Sequence, residues 1–242
     1  MRPDKGLMWV MDILENDIAG ALTFVQRHLI ELEISTVQHQ NFKKFKKMMK
    51  QLRGSSCSGQ FNAKRTLLHQ GNAFWLEWRH RNETIGIHAM RMDDYRNTDL
   101  ATIWMAGQQC LAYGGGKIGK QQPELAKRMK GRIVYGGDLF ITSDFRGIDG
   151  LSTSVALQSF FYAELKWKPD WIYGFIDKKN VTQRGFTGRF GYNHKAPIGT
   201  HWKKPPKGIR TDDYLAALDR QGIARNAWAI ANFGLGGLLH RQ

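Results

Sequence analysis

The sequence is poor in cysteine and acidic residues, and it contains no long apolar run. Its two cysteines, Cys57 and Cys110, lack the spacing of metal ligands and, as isolated thiols, fit a reducing compartment. The eight histidines show no ligand spacing such as H-x-x-x-H, so no metal site is expected. No apolar window of about 18 residues predicts a membrane span, and the first residues lack the apolar core of a signal peptide. We therefore expect a soluble, cytoplasmic protein.

The shortage of acidic residues leaves a strongly basic chain. Its 36 Lys and Arg outnumber 21 Asp and Glu, which gives a formal net charge of +15 over 242 residues. Such a balance favours an anionic partner: nucleic acid, an anionic membrane surface, an acidic protein or a phosphate-rich cofactor. Hydrophobic residues make up 42% of the chain, enough for a sizeable core, so a disordered chain is excluded.

The N-terminal quarter carries helical patterns. Apolar residues recur at helical spacing between residues 8 and 52, without an interrupting proline. Within this stretch, FKKFKKMMKQLR (residues 42–53) predicts a basic amphipathic helix with Phe42, Phe45 and Met49 on its apolar side. Its polar side is either a solvated face or a docking surface for an anionic partner. The lysines of that side are Lys43, Lys44, Lys46, Lys47 and Lys50.

Strand patterns become clear further along the chain. Residues 73–92 predict a β-hairpin, whereas residues 100–116 fit a strand or a buried helix equally well. Residues 132–176 read as strand, turn, helix and strand, the pattern of a right-handed parallel β-α-β unit. A charged, proline-containing linker follows, and residues 211–233 predict a helix with Thr211 as its N-cap.

The turn of the β-α-β unit has unusual composition. The stretch FRGIDGLSTSVALQ (residues 145–158) places Arg146, Gly147, Gly150 and Ser152 where the chain enters the helix. A helix N-terminus exposes unpaired amides and binds phosphate readily, and glycines let an anion approach the backbone. Alternatively, the glycines only permit the turn conformation. Taken alone, the motif leaves both interpretations open.

The segments around this turn resemble the GNAT family of acyltransferases, which use acyl-coenzyme A. In that family, a strand ends in a Q/R-x-x-G-x-G/A loop. A parallel strand follows, then an asparagine, and then a helix that closes on a Gly-aromatic pair. This chain has LFITSDFRGIDGLSTSVALQ, then WIYGFIDKKN, then VTQRGFTGRFGY, so that Asn180 and Gly191-Tyr192 occupy the corresponding positions. The resemblance covers residues 73–195, about half of the chain.

The resemblance implies an α/β (α+β) fold with a mixed, mostly antiparallel sheet. Its central parallel strand pair is splayed, helices flank it, and an N-terminal helical extension precedes it. We expect three parts: the extension (residues 1–60), the acyltransferase domain (61–200), and a linker with a C-terminal helix (201–242). The implied function is transfer of an acyl group from acetyl-CoA or a longer acyl-CoA to an amine.

The resemblance also implies site residues. Residues expected to contact the donor are Leu139, Phe140, Ile141, Arg146, Gly147, Gly150, Ser152 and Asn180. Asn180 is also placed to act as an N-cap of the helix that follows it. Asp138 and His88 are the candidates for the base that deprotonates the amine, while Glu77 is a weaker one. Asp138 is equally well placed to hydrogen-bond within its own turn.

Two departures from the family pattern affect these assignments. The glycine loop is one residue longer, since Arg146 stands four positions before Gly150. The family often places a proton-donating tyrosine seven residues after the asparagine, where this chain has Thr187. A threonine hydroxyl is a far poorer acid than a phenol. Tyr192, Tyr173 and Tyr135 are therefore candidates for the general acid, and water is another.

Two alternative functions remain open. One is a fatty-acyl N-acyltransferase that takes its acyl chain from an acidic acyl carrier protein, which the basic composition would fit. The other is a catalytically degenerate domain that binds nucleic acid or a protein partner through residues 42–53. The amine acceptor, the acyl chain length and the oligomeric state are not predicted.

Overall fold

A seven-stranded mixed sheet forms the centre of the molecule. The computed structural model describes the backbone of residues 5–241 and the side chains of residues 15–238. In spatial order the strands of this sheet are β1 (Ile34–His39), β2 (Ala73–His80), β3 (Glu83–Tyr95), β5 (Gly131–Ile141), β6 (Trp171–Ile176), β9 (Tyr214–Asp219) and β7 (His194–Ala196). A separate two-stranded ribbon pairs β4 (Lys117–Ile118) with β8 (Trp202–Lys204).

Helices cover both faces of the sheet and enclose two apolar cores. One face packs against α1 (Lys5–Glu31), α6 (Leu151–Trp167) and α9 (Arg220–Phe233). The other face packs against α2 (Phe42–Arg53), α3 (Leu100–Met105) and α5 (Glu124–Arg128). We call these the α6 layer and the α2 layer. The short helices α4 (Gln108–Tyr113), α7 (Lys178–Thr182) and α8 (Phe186–Arg189) lie in connections, and a 3₁₀ segment, Leu235–Arg241, follows α9.

The predicted fold class is confirmed by the strand directions. All described neighbours in the main sheet are antiparallel except β5 and β6, which are parallel and joined through α6. The predicted hairpin is β2 and β3, and the ambiguous stretch 100–116 contains the two helices α3 and α4. Alternation along β2 places Phe74, Leu76 and Trp78 in the core of the α6 layer.

Two predicted helical stretches contain strands instead. The helical pattern expected over residues 8–52 is broken by β1, where Ile34, Thr36 and Val37 favour a strand and pairing with β2 decides the outcome. The N-terminal extension therefore supplies an edge strand to the main sheet. The division into residues 1–60, 61–200 and 201–242 stays a prediction.

The stretch predicted to be helical over residues 211–233 begins with β9, which lies between β6 and β7. Its run of buried apolar residues suits a strand covered on both faces. The N-cap of α9 is consequently Asp219, whose carboxylate accepts from the amide of Gly222 at 2.7 Å, and not Thr211. Within residues 5–241, none of the helices combines the length and apolar character that a bilayer crossing requires.

A buried carboxylate ties the first three strands together. Glu77 on β2 accepts hydrogen bonds from Thr84 Oγ1 at 2.5 Å and Arg79 Nη2 at 2.8 Å, and it lies 2.6 Å from His39 Nε2. Burial raises the pKa of Glu77, but these partners outweigh burial and lower it to about 2. Glu77 is thus an ionised structural group outside the cavity described below, and the structure contradicts its role as a base.

Replacing this carboxylate should destabilise the fold in a pH-dependent way. We expect Glu77→Gln to lower the free energy of unfolding by about 3 kcal/mol at pH 7, because it removes the charge from a buried carboxylate that accepts hydrogen bonds from Arg79 and Thr84. The folded pKa of about 2 lies below the ordinary value of 4.5, so the carboxylate stabilises the fold above pH 4.5. The difference from wild type should therefore shrink as the pH falls from 4.5 towards 2.

Urea unfolding at several pH values measures this difference. Glu124→Gln is the matched control, because Glu124 is largely exposed and pairs only with Lys127. An equal loss of stability in both variants would contradict the prediction.

Candidate active site

The parallel strands β5 and β6 separate halfway along their length. They pair from Ile133 to Tyr135 on β5, and the described register between them ends there although both strands continue. Beyond this point Gly136 and Gly174 lie across the gap, and a Cβ atom on Gly174 would be 3.0 Å from the Gly136 carbonyl oxygen. The gap opens into a cavity of about 1700 Å³. The predicted splay of the central pair is therefore present.

A bulge in β5 marks the same point. Between Ile87 and Ala89, β3 advances two residues while β5 advances three, and Asp138 takes a positive φ of 56°. Left-handed backbone is unusual for a residue other than glycine, and bulges re-aim side chains. The bulge turns the Asp138 side chain towards the loop that follows α2.

Asp138 joins this loop to β5. Its carboxylate accepts from the backbone amide of Ser58 at 2.7 Å and from Arg53 Nη1 at 3.1 Å, and its side chain is only 5% exposed. Burial raises the pKa of Asp138, while the Ser58 amide and the Arg53 charge oppose that shift. Asp138 lines the cavity, so a loop anchor and a base both remain compatible with its position. No local sequence pattern indicates Arg53 or Ser58 as partners of Asp138, because they lie about 80 residues away along the chain.

The glycine turn enters α6 at the edge of the cavity. Gly147 and Gly150 have φ values of 92° and 68°, and Gly150 is the N-cap, so no side chain caps the first turn. A Cβ on Gly150 would lie 3.0 Å from His28 Cε1 and 3.0 Å from Leu235 Cδ1. Glycine is therefore required here for both conformation and packing. The uncapped amides of the first turn, together with Ser152, face the cavity wall.

Arg146 is held against the end of β5. Its Nε atom donates to the carbonyl oxygen of Ile141 at 2.8 Å, and its guanidinium lies 5.2 Å from the centre of the Phe140 ring. These contacts fix the positive charge at the cavity wall beside the glycine turn. The other expected donor-contacting residues of β5, Leu139, Phe140 and Ile141, line the same wall.

His88 forms part of the wall on the α6 layer. It is 4% exposed, its ring packs edge-on against Phe160, and its Nδ1 atom has no hydrogen-bond partner among the described residues. Burial lowers the pKa of His88 to about 3. The imidazole is therefore neutral and very weakly basic at neutral pH. This low pKa disfavours His88 as a general base, and that expected role stays a prediction.

The candidate general acids occupy different layers. Tyr192 packs on Phe160, and a Cβ on Gly174 would lie 3.2 Å from its hydroxyl, so Tyr192 faces the gap from the α6 layer. Tyr135 lines the cavity, whereas Tyr173 is fully buried against Trp104. Burial raises the pKa of all three phenols. Thr187 is buried, and its carbonyl accepts from the amide of Tyr192 at 2.9 Å.

Asn180 lies inside α7 and does not cap a helix. The cap is Asp177, which accepts from the amide of Lys179 at 2.7 Å, because the helix begins three residues earlier than predicted. Asn180 lines the cavity and accepts from Arg184 Nη1 at 3.1 Å. Its expected contact with the donor stays a prediction.

The basic amphipathic helix is present as α2, and its C-terminal end leads to the cavity. Phe42, Phe45 and Met49 are buried, while the five lysines of its polar side are exposed. Asn41 caps the helix and Gly54 ends it, and the following loop, residues 55–58, lines the cavity. The helix thus leads into the cavity lining through Arg53 and this loop, and its five lysines are not among the described residues that line the cavity.

Comparison with known proteins gives matches among solved structures. No model of a known protein family matches the chain, and no curated protein matches it either. Arabidopsis thaliana NAA60 in complex with acetyl-CoA is 11% identical over 77% of this chain and 98% of that chain, with a TM-score of 0.48. FeeM, an N-acyl amino acid synthase from uncultured soil microbes, is 13% identical over 83% of this chain and 98% of that chain, with a TM-score of 0.47.

A GNAT-family acetyltransferase from Streptococcus pneumoniae is 10% identical over 76% of this chain and 99% of that chain, with a TM-score of 0.41. The features expected from the motifs are present in the structure itself: a mixed sheet whose only parallel pair, within the described strands, splays open beside an uncapped helix N-terminus.

Proposed function

We propose that this chain is an N-acyltransferase that takes its acyl group from an acyl-CoA thioester. The proposal rests on one observation: two features of the fold lie at the same cavity. An uncapped helix N-terminus with a nearby guanidinium offers a pyrophosphate site, and the splayed strand pair offers a slot for an extended thioester arm. Neither feature alone would indicate a group-transfer enzyme.

The acyl-CoA donor would bind in the cavity on the side of the α6 layer. The amides of the first α6 turn, Ser152 and Arg146 would bind the phosphates, and Asn180 would contact the arm from the facing side of the cavity. The β6-facing backbone of Leu139 and Phe140 has no strand partner in the described register, so its polar groups are available to a ligand, whereas the carbonyl oxygen of Ile141 already accepts from Arg146. These residues stay proposed contacts.

The acceptor amine would approach from the α2 layer, opposite the phosphates. Asp138 faces this side and would take the proton of the attacking amine, directly or through water, since its raised pKa makes it a better base than an exposed carboxylate. Tyr192 would protonate the departing thiolate from the α6 layer. Attack forms the C–N bond, the C–S bond breaks, and the products are an amide and free CoA.

Calorimetry with acetyl-CoA, a long-chain acyl-CoA and free CoA tests the donor site. We expect Ser152→Glu to weaken binding about tenfold or more, because it places a carboxylate where a phosphate would lie. An acidic residue in a first helical turn favours the helix, so folding should be preserved. Gly150 is unsuitable for this test, since its positive φ and close neighbours would confound the result.

Gln221→Glu is the matched control, because it adds the same charge to the first turn of α9 at an exposed position away from the cavity. It should leave binding unchanged. Failure of wild type to bind any CoA species would refute the donor assignment.

A specific observation favours one alternative donor, an acyl carrier protein. The lysines of α2 are exposed, and the loop after this helix lines the cavity, so they would attract a strongly acidic carrier to this side of the molecule, and the attraction would weaken with salt. Phe42 and Phe45 are buried and offer no stacking platform, which disfavours single-stranded nucleic acid as the partner. Parallel assays with the same acyl chain on CoA and on a carrier protein distinguish the two donors by kcat/KM.

A further inference from the structure

His88 lies beneath the point where β5 and β6 separate, and its environment is unusual for a structural histidine. Buried polar side chains nearly always find a hydrogen-bond partner. The Nδ1 atom of His88 has none among the described residues, and the ring packs edge-on against Phe160. An unpaired buried nitrogen lowers the free energy of unfolding, so we expect His88 to contribute to function instead.

Gly136 leaves the Nε2 edge of the ring uncovered. A Cβ atom at this position would lie only 3.3 Å from His88 Nε2 and 3.2 Å from Met90 Sδ, so a side chain there would crowd this edge. Both Gly136 and His88 line the cavity. A ligand oxygen that enters the cavity beside Gly136 would therefore approach Nε2 and could accept a hydrogen bond from it.

The protonation state of the ring follows from its surroundings. Burial keeps the imidazole neutral, so one nitrogen carries hydrogen and the other does not. A buried N–H without a partner is rarer in proteins than an acceptor without one, which favours the tautomer with hydrogen on Nε2. His88 then presents an N–H donor to the space beside Gly136. The ionisable group packed against Phe160 on its other side is Tyr192, which burial also keeps neutral.

We propose that His88 is a catalytic residue that donates a hydrogen bond from Nε2 to the carbonyl oxygen of the acyl thioester. The inference rests on the proposed function. As the amine lone pair forms the new C–N bond, the carbonyl π electrons move to oxygen, and the Nε2–H group stabilises the resulting negative charge. The oxygen then returns its electron pair, the C–S bond breaks and the thiolate takes up a proton. His88 itself gains and loses no proton.

Two variants of His88 distinguish the effect of losing the hydrogen-bond donor from the effect of changing the side-chain shape. His88→Phe removes the donor while filling the apolar site, and it also removes an unpaired buried nitrogen. We expect kcat to fall about 100-fold, with an unchanged or higher melting temperature and unchanged affinity for free CoA. His88→Gln retains an N–H donor and should recover activity to within about tenfold of wild type.

His69→Gln is the matched control, because His69 is exposed and lies away from the cavity. It should leave kcat unchanged. The ratio of wild-type to His88→Phe kcat should stay constant from about pH 6 to pH 8, since a neutral donor does not titrate there.

Three outcomes would overturn the inference. Equal kcat in wild type and His88→Phe would show that the ring does not contact the reacting oxygen. A fall in CoA affinity with unchanged kcat would indicate that Nε2 contacts the extended arm of the acyl-CoA and not the reacting carbonyl oxygen. A ratio that changes with pH would mean that the ring exchanges a proton. If wild type itself transfers no acyl group, the proposed function fails, and the two failures are thereby distinguished.

Discussion

A Gly174→Val protein is expected to fold and to bind free CoA, but to transfer acyl groups at least about 100-fold more slowly than wild type. Gly174 stands on β6 opposite Gly136, where the parallel strands have just separated. A Cβ atom there would lie 3.0 Å from the Gly136 carbonyl oxygen and 3.2 Å from the Tyr192 hydroxyl. The added methyl groups would therefore occupy the slot proposed for the thioester.

The size of this effect follows from geometry. Displacement of a reacting group by about 1 Å can cost about 100-fold in rate, and a valine side chain fills more than that distance. Valine suits a strand, and Gly174 does not have the positive φ that only glycine adopts readily, so its backbone conformation admits the change once β5 and β6 shift slightly apart to relieve the contact with the Gly136 carbonyl. Gly174→Ala should give an intermediate loss, because a single methyl group leaves part of the slot open.

Thiol release during turnover gives kcat/KM, and calorimetry gives the affinity for free CoA. Gly20→Ala serves as the control, because its methyl group would be similarly crowded, 3.2 Å from Ala231 Cβ, but between α1 and α9. Wild-type activity in Gly174→Val would show that the acyl group does not enter between β5 and β6.

The β-α-β unit was predictable because its signals are local. The apolar runs of β5 and β6 and the glycines before α6 lie within about 45 residues, and a parallel pair follows from their order. β1 and β9 were predicted as helices because short amphipathic or apolar segments fit either structure. Their pairing with β2 and β6 decides between the two, and no local pattern contains that information.

The position of the candidate site was predictable from the sequence, but the protonation states of its ionisable side chains were only partly so. The motif placed Gly150 and Ser152 at the cavity, but the environments of His88 and Glu77 depend on residues distant in sequence. His88 is neutral because its burial against Phe160 disfavours the charged ring, and Glu77 is ionised because His39, Arg79 and Thr84 surround it. The pKa values that decide between a base and a structural group therefore emerge only from tertiary packing.

The second large effect is expected for Asp138→Asn, which should lower kcat/KM about 100-fold and flatten its dependence on pH. A general base contributes factors of about 100 or more, and asparagine cannot accept the proton. Because burial raises the Asp138 pKa, wild-type activity should decline as the pH falls through that raised value and protonates the carboxylate. The variant has no such group, so its residual activity should lack this decline.

The loop-anchoring role of Asp138 requires a separate variant. Asparagine retains an oxygen that can accept from the Ser58 amide, whereas Arg53→Met removes the ion pair and leaves the carboxylate in place. Arg53 lowers the pKa of Asp138, so Arg53→Met should shift the decline of kcat/KM to higher pH while preserving activity on the alkaline side. If Asp138 only anchors the loop, both variants should instead lower activity equally at every pH, because the protonation of a carboxylate outside the reaction would not set the rate.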